Sequence, residues 1–232
     1  MEGPAGFVTR SDGRRRLLVE ATLAESVEGL DLLSPDTWQR LSGAPPGRAG
    51  RAPTALFELP DGRRLLVRRL LRGGLAGPLL GSVLFGSARP VSELAVTAEL
   101  RRRGAPVPRP AFAWLERRFG PVFRAAVATG FEEGAVDALE FLEERPSGPR
   151  LQRAALAAGR AVRRLHDAGG RHRDLHVKNL LVRETEQRAE CIIVDLDRAT
   201  LEPHVSPSQR MSELMRLFRS LVKRRVAERV GR

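Results

Sequence analysis

The sequence of 232 residues has no tyrosine, a single cysteine and only two lysines, Lys178 and Lys223. One cysteine, Cys191, excludes an internal disulfide and is consistent with a reducing compartment, and its apolar surroundings predict a place in the core. No run of eighteen apolar residues occurs, so we predict no membrane-spanning helix. The first residues also lack a basic region followed by an apolar one, and we therefore expect no signal peptide.

The charge of the chain is strongly positive, with a formal net charge of +12 that comes almost entirely from arginine. Such a charge favours anionic partners: nucleotide phosphates, anionic lipid or an acidic sugar. Aromatic residues make up only 5% of the chain, which leaves few platforms for stacking bases, so no nucleic acid is expected as a partner. The length and a hydrophobic content of 42% suit one large domain or two lobes.

Residues 172–179 read His-Arg-Asp-Leu-His-Val-Lys-Asn, and an apolar segment that ends in Asp195 follows. This form, with Asn179 five residues after Asp174, is typical of the catalytic loop of kinase-like phosphotransferases. A hydroxyl acceptor needs a carboxylate to take its proton and aim it at the γ-phosphate, and Asp174 suits that role. Asn179 and Asp195 offer oxygen ligands for Mg²⁺. We count Lys178 with Asp174 as a catalytic candidate. The alternative is a coincidental polar loop between a helix and a hairpin.

A glycine-rich turn at residues 43–50 precedes two predicted strands, residues 54–59 and 65–71. Before the hairpin of a kinase-like N-lobe, the backbone N–H groups of such a turn lie against nucleotide phosphates. We therefore assign Gly47 and Gly50 to cofactor binding. The alternative is an ordinary flexible loop.

A kinase N-lobe also needs a cation from its third strand, paired with a glutamate on a helix. No lysine precedes Lys178, so an arginine must fill this place. Arg68 alternates with Leu66 along the strand and is the candidate, whereas Arg69 points to the other face. We choose Glu93, on a helix predicted over residues 90–103, as the partner of Arg68. The alternative is that these charges are merely solvated.

The pattern as a whole predicts an α+β protein with a protein-kinase-like two-lobed fold. We expect an N-terminal extension over residues 1–35 and an N-lobe of antiparallel sheet with one helix over 36–130. A small, mostly helical C-lobe over 131–232 carries the catalytic loop and a basic terminal helix at 213–229. That helix has the apolar residues Leu214, Leu217, Phe218, Leu221 and Val222 on one face. His172 and His176 lack an evident third ligand, so zinc is not predicted.

Several short motifs between residues 36 and 225 resemble the lipopolysaccharide kinases of Gram-negative bacteria, most closely those that phosphorylate 3-deoxy-D-manno-octulosonic acid (Kdo). The resemblance rests on the following motifs: Trp38, Pro46-Gly47-Arg48, Asp61-Gly62-Arg63, Val67-Arg68, Arg72-Gly73-Gly74-Leu75, residues 89–93, Gly104, Val107-Pro108-Arg109-Pro110, residues 172–181, Asp195-Leu196-Asp197-Arg198 and residues 217–223. The family's loop typically reads Asp-Leu-Asn-Ala-His-Asn, whereas this chain has Asp-Leu-His-Val-Lys-Asn. Leucines at positions 70 and 71 also replace the usual aromatic residue.

The resemblance implies ATP-dependent phosphorylation of a sugar hydroxyl on a Kdo–lipid A acceptor, with Asp174 as the catalytic aspartate. It implies a peripheral location on the cytoplasmic face of the inner membrane, with the anionic membrane surface as a partner. Two segments are candidates for that contact: residues 72–85 and the basic terminal helix. The alternative is that the helix packs its apolar face on the C-lobe and its charges are merely solvated. The departures leave Kdo, heptose or another glycan open as the acceptor.

Two other functions fit parts of the sequence. One is a protein kinase with a reduced C-lobe, although only 35 residues follow Asp197 and the extended substrate-binding lobe of a eukaryotic-type protein kinase has no room. The other is a pseudokinase scaffold or basic binding module. Intact Asp174, Asn179 and Asp195 argue against the pseudokinase, which commonly loses one of these residues.

Overall fold

The computed structural model describes residues 4–42, 54–70 and 84–226, and these form a mixed α/β protein with antiparallel sheets. The chain divides into two compact units. Unit 1 comprises Met1–Ala95 and Arg109–Phe131, and unit 2 comprises Val96–Pro108 and Glu132–Arg232.

Unit 1 is built on an antiparallel sheet. In the described residues its strands are β1 (Phe7–Ser11), β2 (Arg15–Glu20), β3 (Thr54–Glu58), β4 (Arg64–Arg69), β5 (Leu84–Phe85), β6 (Pro110–Phe119) and β7 (Val122–Gly130). The strand order is β1-β2-β6-β7-β4-β3, and β5 pairs with β7 beside β4. Two short helices, α1 (Ala24–Glu28) and α2 (Thr37–Ser42), and the first half of α3 (Ala88–Arg102) complete the unit.

Alternation along the strands gives the sheet of unit 1 two buried faces. On one face Leu65 and Val67 of β4 join a core that contains stacked Trp38 and Trp114, with ring centroids 5.7 Å apart. On the other face Leu70 packs with residues of α3 and β7. Arg68 and Arg69 therefore point to opposite sides, as the sequence predicted.

Unit 2 combines helices with two small sheets. Its helices are α4 (Ala138–Glu143), α5 (Gly148–Asp167), α6 (Pro207–Lys223) and the second half of α3, and its strands are β8 (Ala135–Asp137), β9 (Gly170–His172), β10 (Leu180–Glu184), β11 (Ala189–Ile193) and β12 (Ala199–Leu201). The strands pair as β11-β10-β8 and β12-β9. Cys191 lies in this core as predicted, and burial raises the pKa of its thiol to about 12.

Two predicted domain boundaries and one predicted number of helices differ from the structure. Residues 1–35 are not a separate extension, because β2 pairs with β6 and supplies buried leucines to the main sheet. Residues 96–108 fall in unit 2 rather than the N-lobe, because Val96 and Leu100 join its core. Residues 36–130 contain α2 in addition to α3, so the prediction of one helix there was wrong.

The terminal helix runs over Pro207–Lys223 rather than 213–229. It begins early because Ser206 and Gln209 form a capping box and Pro207 occupies the first turn. It ends at Lys223, and Arg225 adopts a left-handed backbone with φ of 58°. Its predicted single apolar face is also wrong: Leu217 and Leu221 pack against the core, whereas Leu214, Phe218 and Val222 are exposed.

Candidate active site

His172, at the end of β9, fixes the loop that carries Asp174. The ring is buried, and its Nδ1 accepts a hydrogen bond of 3.3 Å from the backbone N–H of Asp174. Its Nε2 lies 3.1 Å from the carbonyl oxygen of Val194. Because a carbonyl oxygen only accepts, the ring proton sits on Nε2 and the Nδ1 lone pair faces the loop. One imidazole therefore ties the backbone of Asp174 to the residue before Asp195.

Asn179 makes a second connection within the same cluster. Its side-chain nitrogen donates to the carbonyl oxygen of Asp174 over 3.1 Å. Its own carbonyl oxygen accepts from the N–H of Val194 over 2.9 Å. Since the amide nitrogen is used inside the loop, Oδ1 is the atom that Asn179 can offer to a metal ion. The structure thus brings Asp174, Asn179 and Asp195 together, as their spacing predicted.

Asp195 follows β11 in a left-handed backbone conformation, with φ of 62°. Few residues other than glycine adopt this region, and aspartate is among those that tolerate it best. Such backbone strain persists where surrounding structure fixes it and is common at functional sites. Here the hydrogen bonds of Val194 to His172 and Asn179 hold the preceding residue.

A buried glutamate from α6 supports the loop, and the sequence reading missed it. Glu213 Oε2 accepts from the backbone N–H of His172 over 3.2 Å and lies 3.1 Å from Nε2 of His166. Arg171 approaches the other carboxylate oxygen to within 3.8 Å. Glu213 is the only acidic residue in Pro207–Lys223. A single acidic residue in a basic helix was the sequence feature that could have indicated its role.

Ser220 holds the loop at a second point two helical turns further along α6. Its hydroxyl accepts from the backbone N–H of Val177 over 3.0 Å and donates to the carbonyl oxygen of Leu217 over 2.7 Å. Val177 begins the 3₁₀ turn Val177–Asn179 that includes Lys178. The terminal helix is therefore part of the support of the site, on the face that carries Glu213 and Ser220.

Two glycines at the end of α5 allow β9 to approach its neighbours. Gly169 has a left-handed backbone (φ of 81°), and a Cβ there would lie 2.3 Å from the carbonyl oxygen of Glu202. A Cβ on Gly170 would lie 2.6 Å from Leu100 and 2.7 Å from Leu165. At Gly169 a side chain would meet backbone and a left-handed conformation, so glycine is required there to place His172. At Gly170 a side chain would meet two buried leucine side chains, which would have to shift.

In unit 1 the predicted pair of Arg68 and Glu93 is present. The guanidinium of Arg68 donates to Glu93 Oε1 over 2.5 Å, and Glu93 is almost fully buried. Arg69 lies on the opposite face, with its guanidinium 5.2 Å from the centre of the Trp38 ring. Burial, and then the nearby Arg124, lower the pKa of Arg69.

The remaining predicted site residues are Gly47, Gly50 and Lys178. Gly47 and Gly50 lie outside the residues that the structure describes. Lys178 is half-buried within its turn, one residue before Asn179. No cluster of three or more His, Cys, Asp or Glu residues suited to a metal ion occurs in residues 4–42, 54–70 and 84–226. A metal ion at this site would therefore need oxygen donors in addition to the side chains of His, Cys, Asp and Glu.

An apolar cavity of about 230 Å³ lies inside unit 2 between α4, α5, α6 and β10. Val177 and Leu180 of the catalytic segment line it, together with Gly159 of α5 and three leucines of α6. Every lining residue is apolar or glycine, so the cavity offers no polar group to a phosphate.

The sequence is similar to that of a known family of kinases. Residues 38–230 match the model of the lipopolysaccharide kinase (Kdo/WaaP) family. The 3-deoxy-D-manno-octulosonic acid kinase of Stenotrophomonas maltophilia (strain R551-3) is 32% identical over 209 residues, which cover 84% of this chain and 76% of that protein. The enzyme of the same name from Vibrio cholerae is 29% identical over 194 residues, 82% of this chain and 78% of that protein.

Among solved structures, the chain is similar to WaaP in complex with acyl carrier protein. The TM-score is 0.58 at 21% sequence identity, and the match covers 93% of this chain and 86% of that one. At this identity the likeness establishes a shared fold.

Proposed function

Since the chain belongs to the lipopolysaccharide kinase (Kdo/WaaP) family, we propose that it transfers the γ-phosphoryl group of ATP to a hydroxyl of Kdo in a Kdo–lipid A acceptor. As a member of this family it is a kinase, a phosphotransferase with an alcohol group as acceptor. The use of ATP, the use of a metal ion and the identity of the acceptor sugar are parts of the proposal.

The observation that carries the proposal is the hydrogen-bonded cluster around Asp174. The Asp174 side chain is exposed, while its backbone is fixed by His172 and Asn179. An exposed carboxylate on a fixed backbone suits a group that takes a proton from an incoming hydroxyl and orients the hydroxyl oxygen toward a phosphate. Asp174 is accordingly the proposed catalytic base, with Lys178 beside it as a second catalytic candidate.

The donor atoms available next to this loop fit Mg²⁺. Asn179 Oδ1 and the carboxylate of Asp195 are hard oxygen ligands, and Mg²⁺ in kinases binds one or two such groups together with nucleotide phosphates. This also agrees with the lack of a three-residue metal cluster in the described part of the chain. When bound, the ion neutralises charge on the phosphate oxygens.

Arg68 is the proposed phosphate contact from unit 1. Its ion pair with Glu93 fixes the guanidinium, which remains about one quarter exposed (23%) and has donors in several directions. Gly47 and Gly50 are proposed to contact the phosphates through backbone N–H groups.

The relatives named above are 3-deoxy-D-manno-octulosonic acid kinases, and that sugar is the first acceptor to test. The purified protein would be incubated with ATP, Mg²⁺ and Kdo–lipid A, with a heptose-bearing acceptor or with a generic protein substrate, and the products analysed by mass spectrometry. Phosphate on Kdo is expected. Phosphate only on heptose would correct the acceptor, phosphate on protein would favour the protein kinase, and no transfer to any of them would favour a pseudokinase.

We also propose that the protein works at the cytoplasmic face of the inner membrane, because its proposed acceptor is a lipid. No helix in the described part of the chain is long and apolar enough to cross a bilayer, so contact would be peripheral. Acyl carrier protein, the partner in the WaaP structure, is a second partner to test, by size-exclusion chromatography of a mixture.

A further inference from the structure

The surface of α6 divides into three sectors along the helix. At about 100° per residue, Glu213, Leu217, Ser220 and Leu221 fall within about 100° of arc. These four side chains are buried or half-buried and face the interior of unit 2. The remaining two thirds of the helix circumference point to solvent.

The second sector is apolar and exposed. It consists of four side chains that together occupy about 60° of arc: Phe218 (52% exposed), Met211 (57%), Val222 (49%) and Met215 (45%). Leu214 (41% exposed) lies between these residues and the buried side and also lines the apolar cavity of unit 2. We name Met211, Met215, Phe218 and Val222 the apolar sector. A contiguous strip of this kind is unusual on a protein surface and indicates an interaction site.

The third sector is cationic and borders the second. Arg219, Lys223 and Arg216 cover roughly the next 60° of arc, and all three are exposed. The only acid of the helix, Glu213, is buried on the inner side. Every exposed charge on α6 is therefore positive, which matches an anionic partner.

We propose that the apolar sector inserts into the surface of an anionic lipid bilayer while Arg216, Arg219 and Lys223 contact lipid headgroups beside it. Exposed apolar and basic sectors side by side on one helix are the pattern of an interfacial helix. The inference rests on the proposed function only for the lipid nature of the acceptor.

The same helix holds the catalytic loop on its inner face, through Glu213 and Ser220. A bilayer contact along the apolar sector therefore lies one helix diameter, about 10 Å, from the backbone of His172 and Val177. This arrangement would keep the loop near the headgroup plane, where the sugars of a lipid acceptor lie. The other predicted membrane contact is residues 72–85. Residues 72–83 lie outside the described part of the chain, and Phe85 is exposed.

Co-sedimentation with vesicles tests the proposal directly. The full chain should bind vesicles made of equal parts phosphatidylcholine and phosphatidylglycerol at low salt. Binding should fall steeply when the salt is raised to about 0.5 M and should be weak on phosphatidylcholine alone. The double variant Met215→Ser/Phe218→Ser should lower the partition coefficient by about tenfold or more, because it removes two inserting side chains.

The chain offers a matched control for this variant. Phe119→Ser/Leu156→Ser also removes one phenylalanine and one aliphatic residue, at sites that are 72% and 52% exposed but lie elsewhere. This control should bind vesicles as the wild type does. Equal losses in the two double variants would mean that general hydrophobicity, not the apolar sector, governs binding, and would overturn the proposal.

Charge is tested in the same way. Arg216→Gln/Arg219→Gln/Lys223→Gln should weaken binding by about fivefold for each residue removed. Arg160→Gln/Arg163→Gln/Arg164→Gln, on the exposed side of α5 and with the same change in net charge, should have little effect. A similar loss in both would show that net charge alone attracts the protein to the membrane.

Two further outcomes would overturn the proposal. One is no binding by the wild type to anionic vesicles at low salt. The other is a wild-type dimer in sedimentation velocity that Met215→Ser/Phe218→Ser converts to monomer, which would make a second copy the occupant of the sector. Vesicle binding needs no phosphoryl transfer, so an inactive protein that binds would contradict the proposed function and leave this inference standing.

Discussion

The two regions that carry the predicted chemistry are held in different ways. In unit 2, the holding groups (His172, Asn179 and Glu213) are buried, whereas the reactive Asp174 is exposed. In unit 1, Arg68 is at once the proposed phosphate contact and the partner of buried Glu93. Asp174 thus takes no part in holding its own loop, whereas Arg68 combines its proposed role with support, as Asn179 does in unit 2. Substitution of Asp174 should therefore change activity without changing stability, and substitution of Arg68 should change both.

The largest effect is expected from Asp174→Asn. The substitution removes the proton acceptor without touching a buried hydrogen bond, so turnover should fall by about 10²–10⁴-fold while ATP binding and the unfolding midpoint stay near wild type. Steady-state kinetics, ATP titration and thermal unfolding measure the three quantities. Turnover within threefold of wild type would remove Asp174 from the catalytic role.

Arg68→Ala should lower kcat/KM by about tenfold or more, because a guanidinium can hold phosphate oxygens with two donors. It should also destabilise the protein, because it removes the ion pair with buried Glu93. Arg69→Ala is the adjacent control and should change kcat/KM much less. Equal effects, or a larger one for Arg69→Ala, would contradict the assignment of Arg68 to the phosphates.

Glu213→Gln tests the support of the loop in unit 2. The neutral amide replaces charge-assisted hydrogen bonds to His172 and His166, which should cost about 1–3 kcal/mol of unfolding free energy. Urea denaturation measures this, with Glu186→Gln, at an exposed position, as the control. If the two variants unfold at the same urea concentration, Glu213 does not support the loop.

The smallest effect is expected from Ser220→Ala, which removes one hydrogen bond to the N–H of Val177. We expect a loss of about 1 kcal/mol, and no loss in Ser212→Ala, an exposed serine on the same helix. A Ser220→Ala variant as stable as wild type would indicate that water replaces the hydroxyl at Val177.

The contrast between the units also explains what the sequence could predict. The loop residues were found because phosphoryl transfer needs fixed residue types at fixed spacing. Arg68 was found because strand alternation sets its face and because no lysine precedes position 178. The structure contains the contact between Asn179 and Asp174 and the ion pair between Arg68 and Glu93. The catalytic and binding roles of these residues stay predictions.

What the sequence did not yield depends on packing between distant segments. Glu213 accepts a hydrogen bond from the backbone N–H of His172, 41 residues away. No local sequence pattern links the two residues. The place of β1 and β2 in the main sheet depends on pairing with β6, almost 100 residues away. The start of α6 was missed although the capping box Ser206–Gln209 is a local signal.

The glycines near the loop bear on how the gene can vary. At codon 169 every substitution puts a Cβ against the Glu202 carbonyl, so a library screened for activity should return glycine alone. At codon 159, in the middle of α5, an added methyl group meets no atom within 4 Å. Alanine there should be accepted and should raise stability by about 1 kcal/mol, because alanine favours helix. Of these two glycines, ten positions apart, Gly169 cannot be replaced. Replacement of Gly159 can increase stability without altering the catalytic loop.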